Sequence, residues 1–389
     1  MIRYLEKEEK GRCRGLWQEA FPEDSEGFLE YYFKWKTRDN QILVKEDETG
    51  RILSMAHLNP YQVMVRGRVW ELDYIVGVAT AKDSRHQGHM RDILGKMLLD
   101  MHEAGMPFCY LMPASEAIYL LGFRFVFDQP LWQMKEGLPE GAGPKEIPLA
   151  EAHSLASWIN RWLKQRFQVY ALRDEKYMER LEAELDSENG RVFGWYDKQG
   201  ELKASGLLGN GKGGAEVSLF CGTGLGGTGR RGSNPGGGAL QTGPADESPD
   251  GAVGTGCNCA SVRPAIMARI TDAARMMEAV SLNEEAPCDH IEALLRIRDE
   301  LIPGNRGLWR WKLDAHGSRL MREPAGPAGE PLFSTEVLDI DAAVLAPWLF
   351  GYDTLEHLMK KMEKSRRLVV QVCTAPWEFV SGRDCIERV

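Results

Sequence analysis

The chain has 389 residues, of which 43% are hydrophobic and 27% charged, enough for two or three domains of ordinary size and too long for a small binding module. Its formal net charge of -9 argues against a protein that lives on nucleic-acid phosphates, which needs clustered Lys and Arg, and favours amine or polycationic substrates. Met1 to Gly15 lacks the apolar stretch of a signal peptide, and no run of about 18 apolar residues occurs, so the expectation is a cytoplasmic chain without membrane contact. The eight cysteines, at 13, 109, 221, 257, 259, 288, 373 and 385, include no CxxC pair and read as free thiols. The lone CxC of Cys257 and Cys259 lacks partner ligands, and no metal is expected.

In chain order, Leu16 to Trp35 is rich in acidic and aromatic residues. Gln41 to Lys45 and Ile52 to Val65 read as strands joined by a turn over Asp47 to Gly50. Val69 to Thr80 reads as a long buried strand. Met90 to Ala104 places Met90, Ile93, Leu94, Met97, Leu98 and Met101 at helical spacing. Phe108 to Met112 and Phe123 to Phe127 are further strands, so the first part is mixed α/β around a central sheet. A helical stretch from Leu149 opens a second unit, and Arg191 to Leu208 reads as a hairpin turning on Lys198, Gln199 and Gly200.

The composition then changes. From Gly206 to Cys257, 18 of 52 residues are Gly, far above the roughly 7% of ordinary chains, and such a stretch is not expected to bury enough surface to order itself. A natural flexible insertion and a shifted reading frame that replaces an ordinary strand pair both fit. Arg263 to Val280 resumes a strand-then-helix pattern. Ala293 to Leu301 reads as a helix, Leu308 to Leu313 as a strand, Asp339 to Tyr352 as a helix and Leu368 to Val372 as a strand.

Two phosphate-loop lookalikes fail on context. Gly206 to Gly213 has Gly213 where a Ser or Thr must ligate magnesium, and the GxGxxG of Gly222, Gly224 and Gly227 opens no helix. More informative is the turn of Arg85, His86, Gln87, Gly88, His89 and Met90 between the strand ending at Thr80 and the following helix. Unpaired amides and the positive dipole end of that helix can hold a pyrophosphate, with Gly88 permitting close approach; a plain strand-to-helix turn fits the same residues. His86 and His89, spaced HxxH without a third ligand, read as surface histidines.

Pro113 to Phe127 reads PASEAIYLLGFRFVF. Together with VATAKDSRHQGHM it resembles the GNAT acetyltransferases, with an RxxGxG/A acyl-CoA loop and a later YxxxGF element. VGVAT, the loop, PASE and IY in this order resemble more closely the enhanced intracellular survival (Eis) family. That resemblance implies an α/β GNAT-fold domain over 1–135, a second GNAT-like domain over 136–284 that contains the Gly-rich stretch, and a sterol-carrier-like α+β domain over 285–389.

It also implies an acetyl-CoA-dependent N-acetyltransferase without a metal, acting on an aminoglycoside, polyamine or lysine-like amine, and a homo-oligomer such as a hexamer. The pantetheine arm would lie along Val76, Val78, Ala79 and Thr80, and the pyrophosphate would meet Arg85, His86, Gln87, Gly88, His89 and Met90. Tyr119 would serve as general acid and the terminal carboxylate of Val389 as general base. Met90 stands where the loop pattern has a small residue, and Tyr119 to Phe123 spells YxxGF, one residue short. An acceptor pocket would draw on Asp24, Glu26, Phe28 and Tyr31, which equally fit a helix with aromatics in the core and acids outside. The alternative is a degenerate GNAT-fold protein that binds acyl-CoA or an apolar ligand without turnover.

Overall fold

The structure, a computed structural model, describes residues 1–114, 116–134, 145–197, 199–211, 214–221, 257–282, 288–324, 337–355, 357–358 and 379–380. Chain order begins with β1 (Ile2–Tyr4), α1 (Arg14–Ala20), α2 (Glu26–Trp35), β2 (Gln41–Glu46), β3 (Ile52–Val65), β4 (Arg68–Thr80), α3 (His89–Glu103), β5 (Phe108–Leu111) and β6 (Arg124–Met134). Next come β7 (Lys145–Ile147), α4 (Ala156–Lys164), β8 (Val169–Ala171), α5 (Glu175–Ser187), β9 (Arg191–Tyr196), β10 (Leu202–Gly211), β11 (Gly214–Cys221), β12 (Cys257–Ile270) and α6 (Ala273–Met277). The rest comprises β13 (His290–Arg298), β14 (Gly307–Asp314), β15 (Gly317–Arg322), β16 (Val337–Asp341), α7 (Ala342–Leu349) and β17 (Phe379–Val380).

The alternation of buried side chains gives the first strands two covered faces. Leu43, Ala56, Leu58, Ile75, Cys109 and Leu111 pack with Ile93, Leu94, Met97, Leu98 and Met101 of α3. The opposite faces of the same strands, through Ile42, Val44, Leu72, Tyr74, Val76 and Tyr110, pack with Trp17, Phe28, Tyr31 and Tyr32 of α1 and α2.

One sheet runs through both of the first two expected units, in the order β1-β2-β3-β4-β5-β12-β6-β11-β10-β9-β7, with β8 and β17 off that path. β12 inserts between β5 and β6, so residues far downstream complete the sheet of the first 135. Helices α2 and α5 pack antiparallel across the same boundary. Ser187 abuts Gly27, Tyr31 donates to Glu184 at 2.7 Å, Lys36 lies 3.7 Å from Glu184, and Asp39 pairs with Arg180 and Lys176.

Three expectations change. Residues 206–211 and 214–221, inside the Gly-rich stretch, are strands β10 and β11, paired in register from Ala204↔Cys221 to Gly211↔Gly214; backbone bonds to a neighbour order a strand that has little apolar surface of its own. The remainder, 222–256, lies outside the described residues. Ala293 to Leu301 is not a helix: strand β13 covers it up to Arg298, because Leu295 and Ile297 are fully buried on one face beside Leu338 and Ile340 of β16, a period of two that a short apolar run does not separate from a helix. Asp339 to Tyr352 divides at Asp341, whose carboxylate accepts from the Ala343 amide and caps α7. Strand β13 joins β14, β15 and β16 in a second sheet of order β15-β14-β13-β16. The strand expected at Leu368 to Val372 lies outside the described residues.

Candidate active site

A cleft opens where β4 leaves β5. The two strands pair in parallel only at Tyr74↔Tyr110 and Ile75↔Leu111. β5 ends at Leu111 while β4 continues to Thr80, so Val76, Gly77, Val78, Ala79 and Thr80 present an edge that β5 does not cover. A bulge deforms the same stretch: between Met55↔Ala79 and His57↔Val76, β4 takes three steps to the two of β3. Gly77 adopts φ +58° there, and a Cβ would collide with the Trp17 ring, so only glycine lets α1 seat against the bulge. At the far end of that edge Ser54 donates to the Ala79 carbonyl at 2.8 Å and Arg85 Nε to the Thr80 carbonyl at 3.2 Å.

The edge points toward the N-terminus of α3. Gly88, the residue preceding the helix, has φ +81° and supplies no side-chain cap. No atom lies within 4 Å of where its Cβ would be. The helix thus begins without a side-chain cap, beside open space at Gly88 and at the positive end of its dipole. His86, also exposed, is left-handed at φ +62°, a conformation that costs a non-glycine residue and is concentrated at functional turns. His89 corrects the surface-histidine expectation: it is only partly exposed, and both ring nitrogens are out of solvent without a hydrogen-bond partner, because the helix turns it inward. Met90 packs with Val78 against the α3 layer.

Tyr119 sits on a two-turn 3-10 helix, Glu116–Leu121. It is half-buried against the same layer as Val78 and Met90, with its ring 6.1 Å from that of Phe125 and 5.2 Å from the Arg124 guanidinium. Its carbonyl accepts from the Gly122 amide at 3.0 Å and from Arg124 Nη1 at 2.9 Å. Val389 lies outside the described residues.

Of the four residues expected to meet an acceptor, Phe28 and Tyr31 are buried and Tyr31 is bonded to Glu184. Asp24 accepts from Trp17 Nε1 at 2.7 Å, and exposed Glu26 pairs with Arg14 and Gln18. The aromatics face the core, Asp24 turns in to the buried Trp17 ring, and only Glu26 faces outward.

Beside the bulge is a polar group that sequence reasoning missed. His57 is fully buried, its ring 5.1 Å from that of Trp17; burial and nearby Lys10 push its pKa down to about 3, so it is neutral. Tyr32 donates to Asn59 Oδ1 at 3.1 Å, and Asn40 donates to the same oxygen at 3.3 Å. The signal was present: His57 and Asn59 are two apart in a largely apolar strand, on one face.

Asp73 was also missed. Burial first, then Glu71, raises its carboxyl to about 6. A perturbed carboxyl would attract notice as a base, but Asp73 precedes the vertex of the cleft, toward Tyr4 and the C-terminal end of α3. The raised value makes the protonated form the stabilising one: its contribution is complete below about pH 3.9 and lost as pH rises through 6. Asp73→Asn should therefore raise stability at pH 8 by up to about 3 kcal/mol and leave it nearly unchanged at pH 4. Equal melting shifts at both pH values would contradict this account.

Residues 1–124 match the acetyltransferase (GNAT) domain family. No curated protein matches the chain by sequence. Among solved structures, a GCN5-related N-acetyltransferase of Anabaena variabilis aligns with TM-score 0.68 at 14% identity, covering 98% of this chain and 99% of that one. A probable N-acyltransferase of Enterococcus faecalis V583 aligns with TM-score 0.67 at 16% identity over 93% and 92% of the two chains. Eis1 of Mycobacterium abscessus aligns with TM-score 0.65 at 11% identity over 99% and 100%. At these identities the likeness is one of fold, and it extends over the whole chain. Domain match and fold together define the class: a mixed α/β chain whose first 124 residues match the acetyltransferase (GNAT) domain and whose whole length shares the fold of these structures. Among the described residues no helix is long and apolar enough to cross a membrane.

Proposed function

We propose that the protein is an Eis-type N-acetyltransferase that moves the acetyl group of acetyl-CoA to an amine, a cationic aminoglycoside, polyamine or lysine-like compound. The observation that carries this is the free β4 edge running into the uncapped N-terminus of α3. The edge of Val76, Val78, Ala79 and Thr80 offers amides and carbonyls to a pantetheine arm. Arg85, His86, Gln87, Gly88, His89 and Met90 form an anion cradle for the pyrophosphate. The fit rests on the absence of a cap at Gly88, the space in front of it, and the unpartnered ring of His89.

Acetyl-CoA supplies the activated thioester; the chain supplies orientation and proton transfer. The amine nitrogen forms its bond to the acetyl carbon as the carbon-sulfur bond breaks. The terminal carboxylate of Val389 takes the proton of the amine, and the phenol of Tyr119 gives its proton to the departing thiolate, a transfer that a tyrosine near pKa 10 is suited to make. Asp24 and Glu26, in the α1–α2 segment with Phe28 and Tyr31, would attract the cationic acceptor.

In this reading the GNAT domain of 1–135, a second GNAT-like part of 136–284 and a sterol-carrier-like part of 285–389 act as one homo-oligomeric cytoplasmic enzyme. Thiol release from acetyl-CoA against a panel of amines tests it; acetyl-CoA binding without amine-dependent release would indicate the degenerate binding protein instead. Removing the last three residues, through Val389, should reduce turnover far more than acetyl-CoA affinity, and a fully active truncation would remove the terminal base.

A further inference from the structure

We propose that Asp299 and Arg269 are positioning residues for acetyl transfer: Asp299, from the segment after β13, acts through Arg269 to fix the Leu121–Gly122 turn and with it the ring of Tyr119. This rests on the reading of Tyr119 as the acid.

Arg269, on β12, is almost fully buried. Its Nε donates to the Leu121 carbonyl at 3.0 Å and its Nη1 to the Ile270 carbonyl at 2.9 Å, while Nη2 reaches both oxygens of Asp299 at 2.8 Å. Gly122, at φ +84°, lies against this guanidinium: a Cβ there would come within 2.8 Å of Nε. The GF step of the motif is thus shaped by a side chain nearly 150 residues downstream.

Asp299 is itself held rigidly. Its Oδ1 accepts from the Leu301 and Ile302 amides at 3.1 and 3.0 Å, and its Oδ2 from Asn305 Nδ2 at 3.1 Å. Ile302 is fully buried in the layer against which Tyr119, Val78 and Met90 pack. A buried ion pair of this kind is weak evidence for stability, because desolvation offsets much of its attraction. Its geometric effect is specific: it clamps the Leu121 carbonyl, two residues after Tyr119, and the amide of that same peptide, the Gly122 N–H, bonds back to the Tyr119 carbonyl. A donor group displaced by about 1 Å can lose of the order of 10²-fold in rate, so the clamp bears on kcat without touching substrate.

The test is a double-mutant cycle on the full chain with Asp299→Asn and Tyr119→Phe, measuring turnover, KM for the amine, acetyl-CoA affinity and melting temperature. Asp299→Asn is expected to lower kcat about tenfold or more, with KM and acetyl-CoA affinity unchanged, and to cause no further loss in the Tyr119→Phe background. Equal losses in both backgrounds, or no loss in either, would overturn the inference. Loss-free Tyr119→Phe would overturn it for a different reason, the failure of the acid reading, and the single variant alone reveals that.

Because an uncompensated buried guanidinium can prevent folding, Arg269→Met with Asp299→Leu is measured in parallel. This apolar pair removes the charge and the donor to Leu121 together. A folded protein with the same Tyr119-dependent loss supports the clamp, and one with wild-type kcat overturns it.

Discussion

Tyr119→Phe is expected to lower amine-dependent thiol release by about 10²-fold or more, the scale of a lost general acid, while acetyl-CoA binds as before. The substitution removes one hydroxyl and keeps the ring, so the packing against Phe125 and Arg124 survives. The loss should fall on kcat and kcat/KM alike, since a proton donated to the leaving thiolate acts only in the transition state. Unchanged turnover with the folded variant would take the acid role from Tyr119 and pass it to water or to another side chain.

Gly88→Glu is expected to abolish measurable acetyl-CoA binding. Two effects combine there. Gly88 is left-handed at φ +81°, which costs a residue with a Cβ about 1–2 kcal/mol. A carboxylate would also stand at the positive end of α3, where the anionic pyrophosphate is to bind. Gly88→Ala separates the two, since it introduces the strain without the charge and should weaken binding much less. An acetyl-pantetheine thioester lacking the diphosphate should be nearly indifferent to the new charge. Wild-type affinity for acetyl-CoA in Gly88→Glu would refute the loop assignment.

Much of the candidate site lies in local sequence. The strand Val69 to Thr80, the loop from Arg85 to Met90 and the helix after it follow one another over about 35 residues, and their hydrophobic periods of two and 3.6 are long enough to distinguish. The same locality explains the failures. β13 is short, and only its pairing with β14 and β16 separates it from a helix. Phe28 and Tyr31 looked like pocket walls because a helical segment does not reveal which of its faces the sheet and α5 will cover.

By itself the sequence determined the order of elements in the first 135 residues, the strand-to-helix turn from Arg85 to Met90 and the presence of Tyr119 before a Gly-Phe step, since each depends on residues close together in the chain. Only the tertiary structure decided that β12 completes the sheet between β5 and β6, that α5 braces α2, and that Arg269 and Asp299 shape the Gly122 turn. Those contacts join residues some 150 apart, where local propensity is silent and the cost of closing the loop is recovered only when the whole core is buried.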